Sequence, residues 1–126
     1  MILGIGCDIL DLKRFQKAAN DAFIARVFTD KEQAYAHSLK GKRKWTYLAK
    51  RFSGKEAAVK ACACGIGENI GWQDIEILNN PEGAPTITFS KKAIRYIHKH
   101  FKCRRFKAHI SLSDDTHSMA FVILEK

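Results

Sequence analysis

The sequence predicts an α+β fold in which an antiparallel sheet packs on a long central helix. Two observations predict it. Strand-like runs lie near both ends of the chain and pair up in its second half, and residues 44 to 64 repeat apolar side chains at helical spacing over the longest such stretch.

Taken in order, residues 2 to 10 read as a buried first strand, with Leu3, Ile5, Cys7 and Ile9 on one face and Ile2, Gly4, Gly6 and Asp8 on the other. The two glycines leave room for another element to approach closely, with Asp8 beside that space. A helix is expected from about Leu12, carrying Arg14, Phe15, Phe23 and Arg26 as a mixed basic and aromatic surface. Thr29-Asp30-Lys31-Glu32 has the form of a capping box, so another helix starts there and runs toward Leu39, where Lys40-Gly41-Lys42 breaks it.

The long helix over 44 to 64 has an inward stripe of Trp45, Leu48, Phe52, Val59 and Ala63, and Gly65 to Gly67 ends it. Asp74 to Leu78 and Pro85 to Phe89 alternate as strands around a turn-rich link, Asn79 to Gly83, and are expected to form a hairpin. Residues 91 to 101 suit an amphipathic helix with Ile94, Ile97 and Phe101 inward. Arg105 to Leu112 and Ser118 to Leu124 supply two further strands around Asp114-Asp115-Thr116.

The 126 residues, 46% hydrophobic, are enough for one domain with its own core, and no linker-like run argues for an internal boundary, so the whole chain 1–126 is expected to be a single domain. No apolar stretch approaches the length of a membrane helix, and no secretion signal is recognisable, which gives the expectation of a cytoplasmic protein with no membrane partner. Reduced thiols are then the simpler state for Cys7, Cys62, Cys64 and Cys103, and the Cys62/Cys64 pair lacks the spacing and second pair that zinc prefers.

The net charge of +9 is concentrated in two runs. Residues 40 to 55 carry Lys40, Lys42, Arg43, Lys44, Lys50, Arg51 and Lys55 with no acid, and a second acid-free run extends from Lys91 to Lys107. Such fields attract nucleic acid, anionic membrane, phosphorylated molecules or acidic proteins, and charge alone does not choose among these or against a merely solvated surface.

Glu56 lies four residues after Phe52 and three before Val59, in line with the apolar stripe. A carboxylate so placed needs a partner, a proton or a cation. Lys60 provides an ordinary helical pair, one explanation. The other joins Glu56 to Asp8, because two carboxylates completed by water and phosphate oxygens suit the oxygen-only octahedron of magnesium. Asp8 has its own alternative as a helix cap after the strand.

Gly4-Ile5-Gly6-Cys7-Asp8-Ile9 with Lys13-Arg14, then Phe28-Thr29-Asp30-Lys31-Glu32, resembles the start of the holo-acyl-carrier-protein synthases, a class of 4′-phosphopantetheinyl transferase. Arg51-Phe52-Ser53-Gly54-Lys55-Glu56-Ala57-Ala58-Val59-Lys60-Ala61, leading to Gly65-Ile66-Gly67, resembles that family's Phe-x-x-Lys-Glu-Ala-x-x-Lys-Ala segment, and Gly83-Ala84-Pro85 and His109-Ile110-Ser111-Leu112-Ser113 resemble its remaining landmarks. The resemblance spans essentially the whole chain.

It implies transfer of the phosphopantetheine arm of coenzyme A to a serine of apo acyl carrier protein, with 3′,5′-ADP leaving, in fatty acid biosynthesis. Carried over, Asp8 and Glu56 hold magnesium, with manganese an alternative, and Asp8, Glu56 and Lys60 form the catalytic set, Glu56 as base and Lys60 against phosphate oxygens. Arg43, Arg51, Lys60, Gly83, Pro85 and His109 face coenzyme A, while Arg14, Phe23 and Arg26 dock the acidic carrier protein. A homotrimer with active sites between subunits is also implied. Two departures stand out. Asp114 replaces a histidine common shortly after the His-x-Ser run, and Ala63 replaces a glycine usual before Gly65. The rival from another class is a nucleic-acid-binding module, for which Trp45, Tyr47, Tyr96 and Phe101 interleave with the basic runs but no nucleic-acid motif is present.

Overall fold

A computed structural model describes residues 1–126. The order is β1 (Ile2–Asp11), α1 (Leu12–Ala18), α2 (Asp21–Val27), α3 (Asp30–His37), α4 (Lys42–Ala61), a 3-10 turn at Trp72–Asp74, β2 (Ile75–Asn79), β3 (Pro85–Phe89), α5 (Lys91–His100), β4 (Lys107–Asp114) and β5 (His117–Glu125). The strands form two antiparallel sheets, β1-β5-β4 and β2-β3, where a single sheet was expected. No helix is long and apolar enough to cross a membrane.

Local chemistry explains most boundaries. Asp11 caps α1 by accepting from Arg14 N at 2.9 Å, so the cap after the first strand is Asp11 and not Asp8. The single helix expected from Leu12 is two helices, because the Asn20 side chain accepts from Phe23 N at 2.8 Å and restarts the chain as α2. Thr29 and Glu32 close the capping box as expected.

At the far end of α4, Ala63 adopts φ +56°, a left-handed conformation, while Cys64 N bonds to Val59 O at 2.9 Å and Ala63 N to Lys60 O at 3.0 Å. This is a Schellman ending with alanine where glycine is favoured. It stops α4 at Ala61, so Ala63 lies past the helix and exposed and is no part of the inward stripe.

The core has two parts. One gathers Ala57, Ala58, Val59, Ile75, Ile77, Ile97, Val122 and Leu124 between α4, the sheets and α5, and the other packs Phe15, Val27, Phe28 and Leu48 under α1 to α3. Trp45 and Phe52 are only half-buried and flank this second cluster.

β1 pairs with the last strand, Asp8 opposite Ala120 and Ile9 opposite Met119. Its glycine face lies on α4: a Cβ built on Gly6 would sit 2.7 Å from Ala61 N and closer still to the Ala57 carbonyl, and one on Gly4 would collide with the Ala61 carbonyl. The other face corrects the expectation of a strand buried throughout. Ile5, Ile9, Met119 and Phe121 are 60%, 66%, 50% and 43% exposed, so this chain alone leaves an apolar sheet surface uncovered. Only Leu3, at a register irregularity between Ile2 and Gly4, turns into the core.

Candidate active site

Asp8 follows Gly6 by two residues and therefore shares its face, turned toward α4. There Lys60 Nζ donates to the Cys7 carbonyl at 2.9 Å and lies 3.3 Å from Asp8 Oδ1. Ser53, two turns before Lys60 on α4, shares a hydrogen bond with Ser118 and so fastens α4 to β5 on the same side as Asp8. Lys60 thus pairs with Asp8, and no ion pair joins it to Glu56, the ordinary helical alternative. Glu56, half-buried one turn before Lys60, has no hydrogen-bond partner.

Burial pushes the Asp8 carboxyl above its ordinary pKa against the opposing pull of Lys60. Burial does the same to Glu56, and the nearby Asp8 charge adds to it. Two desolvated carboxylates, one of which raises the pKa of the other, form a place where a cation would relieve the burial of charge. No cluster of three His, Cys, Asp or Glu side chains that could hold a metal ion exists, and this crossing offers two carboxylates. That number fits magnesium, which keeps water and substrate oxygens in its remaining positions. Cys62 and Cys64 are free thiols, and burial pushes Cys62 up to about 12.

Of the expected coenzyme-facing residues, Arg43 and Arg51 lie elsewhere. Arg51 follows Tyr47 and Arg43 at four-residue intervals and precedes Glu56 by five, so it projects about 140° around α4 from Glu56. On that side lies a cleft of about 410 Å³ whose walls include Lys42, Arg43, Lys50, Arg51, Asn79 and Asp114. Arg51 is buried and fixed as its floor: Nη2 donates to Asn79 Oδ1 at 2.7 Å, Nε to Ile77 O at 3.3 Å, and the guanidinium stacks 3.9 Å from the Tyr47 ring centroid. Pro85 sits opposite Asn79 in the β2-β3 ladder, and Gly83 occupies the exposed turn just before it; neither lines the cleft itself. Asp114 is neutralised by Lys50 at 2.9 Å.

His109 joins neither group. It lies on the exposed face of the β1-β5-β4 sheet opposite Ile123, with Nε2 3.2 Å from Glu125. Arg14 and Arg26 are exposed on α1 and α2, and Arg26 lies 5.8 Å over the ring of Phe23. Phe23 itself is half-buried among Phe15, Phe28 and Phe52.

Sequence reasoning missed Lys55. Fully buried between the half-exposed Phe52 and Glu56, it reaches Glu32 at 2.7 Å, Val27 O at 2.8 Å and Trp72 O at 3.0 Å, while Glu32 also accepts from Ile77 N at 2.9 Å. Burial draws the lysine pKa down and Glu32 opposes it. Neither residue's helical spacing reveals a pair 23 positions apart. The one available signal was a lysine inside an otherwise small and apolar helical run.

The profile of the 4′-phosphopantetheinyl transferase superfamily matches residues 4–122, and the chain belongs to that superfamily. Within it, the similarity runs to holo-[acyl-carrier-protein] synthases. That of Vesicomyosocius okutanii is 43% identical over 99% of this chain and 98% of its own length. The crystal structure of the Bacillus anthracis enzyme, in complex with CoA (3′,5′-ADP), superposes with a TM-score of 0.85 at 35% identity, covering 100% of this chain and 98% of the other. The Neisseria meningitidis enzyme gives 0.86 at 32% identity over the full length of both.

Proposed function

We propose that this enzyme transfers the 4′-phosphopantetheine arm of coenzyme A to a serine of apo acyl carrier protein, releasing 3′,5′-ADP, as a step serving fatty acid biosynthesis in the cytoplasm. The observation that carries the chemistry is the convergence of Asp8, Glu56 and Lys60 at the crossing of β1 and α4. Asp8 and Glu56 hold the divalent ion, magnesium or manganese. When bound, it supplies positive charge beside the pyrophosphate.

The residues of the chain do the rest. Glu56, whose pKa burial and Asp8 push upward, accepts the proton of the serine hydroxyl. The serine oxygen forms its bond to the pantetheine-bearing phosphorus as the bond from that phosphorus to the bridging oxygen breaks, and 3′,5′-ADP leaves with the electron pair. Lys60 neutralises phosphate oxygens there, giving up its 3.3 Å pairing with Asp8.

Arg43 and Arg51 hold the coenzyme's phosphates and nucleotide in the cleft, with Pro85, Gly83 and His109 as further contacts. Because the cleft and Glu56 lie on different faces of α4, a complete site draws on two copies of the chain. The uncovered apolar face of Ile5, Ile9, Met119 and Phe121 supports a homotrimer in which it is buried. Arg14, Arg26 and the ring of Phe23 present a basic, partly aromatic surface suited to an acidic carrier protein.

The test mixes the protein with apo carrier protein, coenzyme A and magnesium and follows carrier protein gaining the arm by mass spectrometry. Turnover is expected with the wild type and absent for Asp8→Ala and Glu56→Ala. Activity that persists in saturating EDTA would end the metal assignment. Arg14→Glu is expected to raise KM for carrier protein more than for coenzyme A.

A further inference from the structure

The cleft contains one acidic side chain that the reading above does not use. Asp114, the last residue of β4, reaches across to α4, and the two side chains of its pair with Lys50 are 34% and 26% exposed. The remaining cations of the wall are in different states. Arg51 is committed to Asn79, Ile77 and Tyr47, whereas Lys42 and Arg43 form no ion pair. Lys50 is therefore the one cation at the cleft already held by a carboxylate, and Asp114 the one carboxylate in its wall.

A pair this exposed contributes little, so an arriving phosphate can displace it. Nor does the hairpin depend on it. Ser118, opposite Asp114 in the ladder, donates to Ala49 O at 3.2 Å and meets Ser53, so β5 stays fastened to α4 without Lys50.

We infer that Asp114 sets the charge selectivity of the cleft: it competes with the donor's phosphates for Lys50 and repels them, so it weakens binding of a highly charged donor more than of a less charged one. This rests on the donor occupying the cleft, as proposed above. Asp114 acts here as a displaceable counterion, which also eases release of an anionic product.

The experiment compares wild type, Asp114→Asn and Arg43→Ala with coenzyme A and with dephospho-coenzyme A, which lacks the 3′-phosphate, and titrates 3′,5′-ADP by calorimetry without turnover. Thermal melts of each variant establish that it is folded. Asp114→Asn is expected to lower KM for coenzyme A by about two- to fivefold, the range an exposed pair allows. The same change should tighten 3′,5′-ADP, leave kcat within about twofold, and help dephospho-coenzyme A less; the gain should shrink at about 0.5 M NaCl, where screening is short-ranged. An unchanged or higher KM and Kd for Asp114→Asn, with Arg43→Ala still raising both, would overturn the role of Asp114 while leaving the donor in the cleft. No effect of Arg43→Ala on either quantity would remove the donor from the cleft and overturn both statements.

Discussion

Replacing Gly6 by alanine tests how closely β1 lies on α4, and through that the position of Asp8. The new Cβ would meet backbone on every near side, 2.7 Å from Ala61 N and closer to the Ala57 carbonyl, where ordinary contact begins at 3.4 Å. Helix backbone cannot rotate away as a side chain can, so the strand must retreat by roughly 1 Å. Overpacking of that kind costs about 3 kcal/mol, the upper part of its usual range.

For 126 residues the unfolding entropy near the midpoint is about 0.26 kcal/mol/K, so each kcal/mol shifts Tm by about 4 °C and Gly6→Ala should lower it by about 11 °C. Asp8 moves with the strand, away from Ser53 and Lys60, and a displacement of about 1 Å at a reacting constellation costs on the order of 100-fold in rate. Circular dichroism melts and the carrier-protein mass assay measure the two effects. Gly67→Ala is the control, since its Cβ meets nothing within 4 Å, and it should melt near the wild type. A Gly6→Ala protein melting within about 2 °C of the wild type and retaining more than about a third of its rate would refute the close packing and the siting of Asp8 that depends on it.

Ala63→Gly should raise Tm by about 4 °C, because glycine relieves about 1 kcal/mol of left-handed strain at the α4 ending, with turnover unchanged; calorimetry checks it. Lys55→Met should cost about 3 kcal/mol or more by stranding the buried Glu32 charge, and Lys55→Met with Glu32→Gln should recover part of that loss in denaturant titrations. The raised Glu56 carboxyl means that the native protein holds this proton more tightly than the unfolded chain does. Its contribution to metal-free stability is therefore present below the ordinary carboxyl pKa and lost as pH rises through the raised value. Glu56→Gln should consequently gain Tm over the wild type, by a margin that grows from acid toward neutral pH. Magnesium should raise the melting point of the wild type at neutral pH and leave that of Glu56→Gln unmoved; melts with and without EDTA read both.

The sequence by itself determined the elements whose causes are local. The Thr29/Glu32 box, the helical spacing of α4 and the alternation of β2 and β3 each act within a few residues, and each element formed there, two of them with shifted ends: α4 runs Lys42–Ala61 and not 44 to 64, and β2 runs Ile75–Asn79. Gly4 and Gly6 likewise announced a close approach, and Asp8 and Glu56 stood out as carboxylates beside apolar surfaces.

Tertiary structure decided what no local signal contains. A period of two divides β1 into faces without saying which one is covered, and only the pairing of Ile5 with Ile123 and the approach of α4 leave the aliphatic face outward and the glycine face inward. Lys60 chose Asp8, 52 residues away, over the Glu56 one turn before it, because β1 delivers the Cys7 carbonyl and the Asp8 carboxylate to the same ammonium. Separation along the chain carries no information about such meetings; they are set by the packing of α4 against β1 and β5, strands from the two ends of the chain, which exists only in the folded molecule.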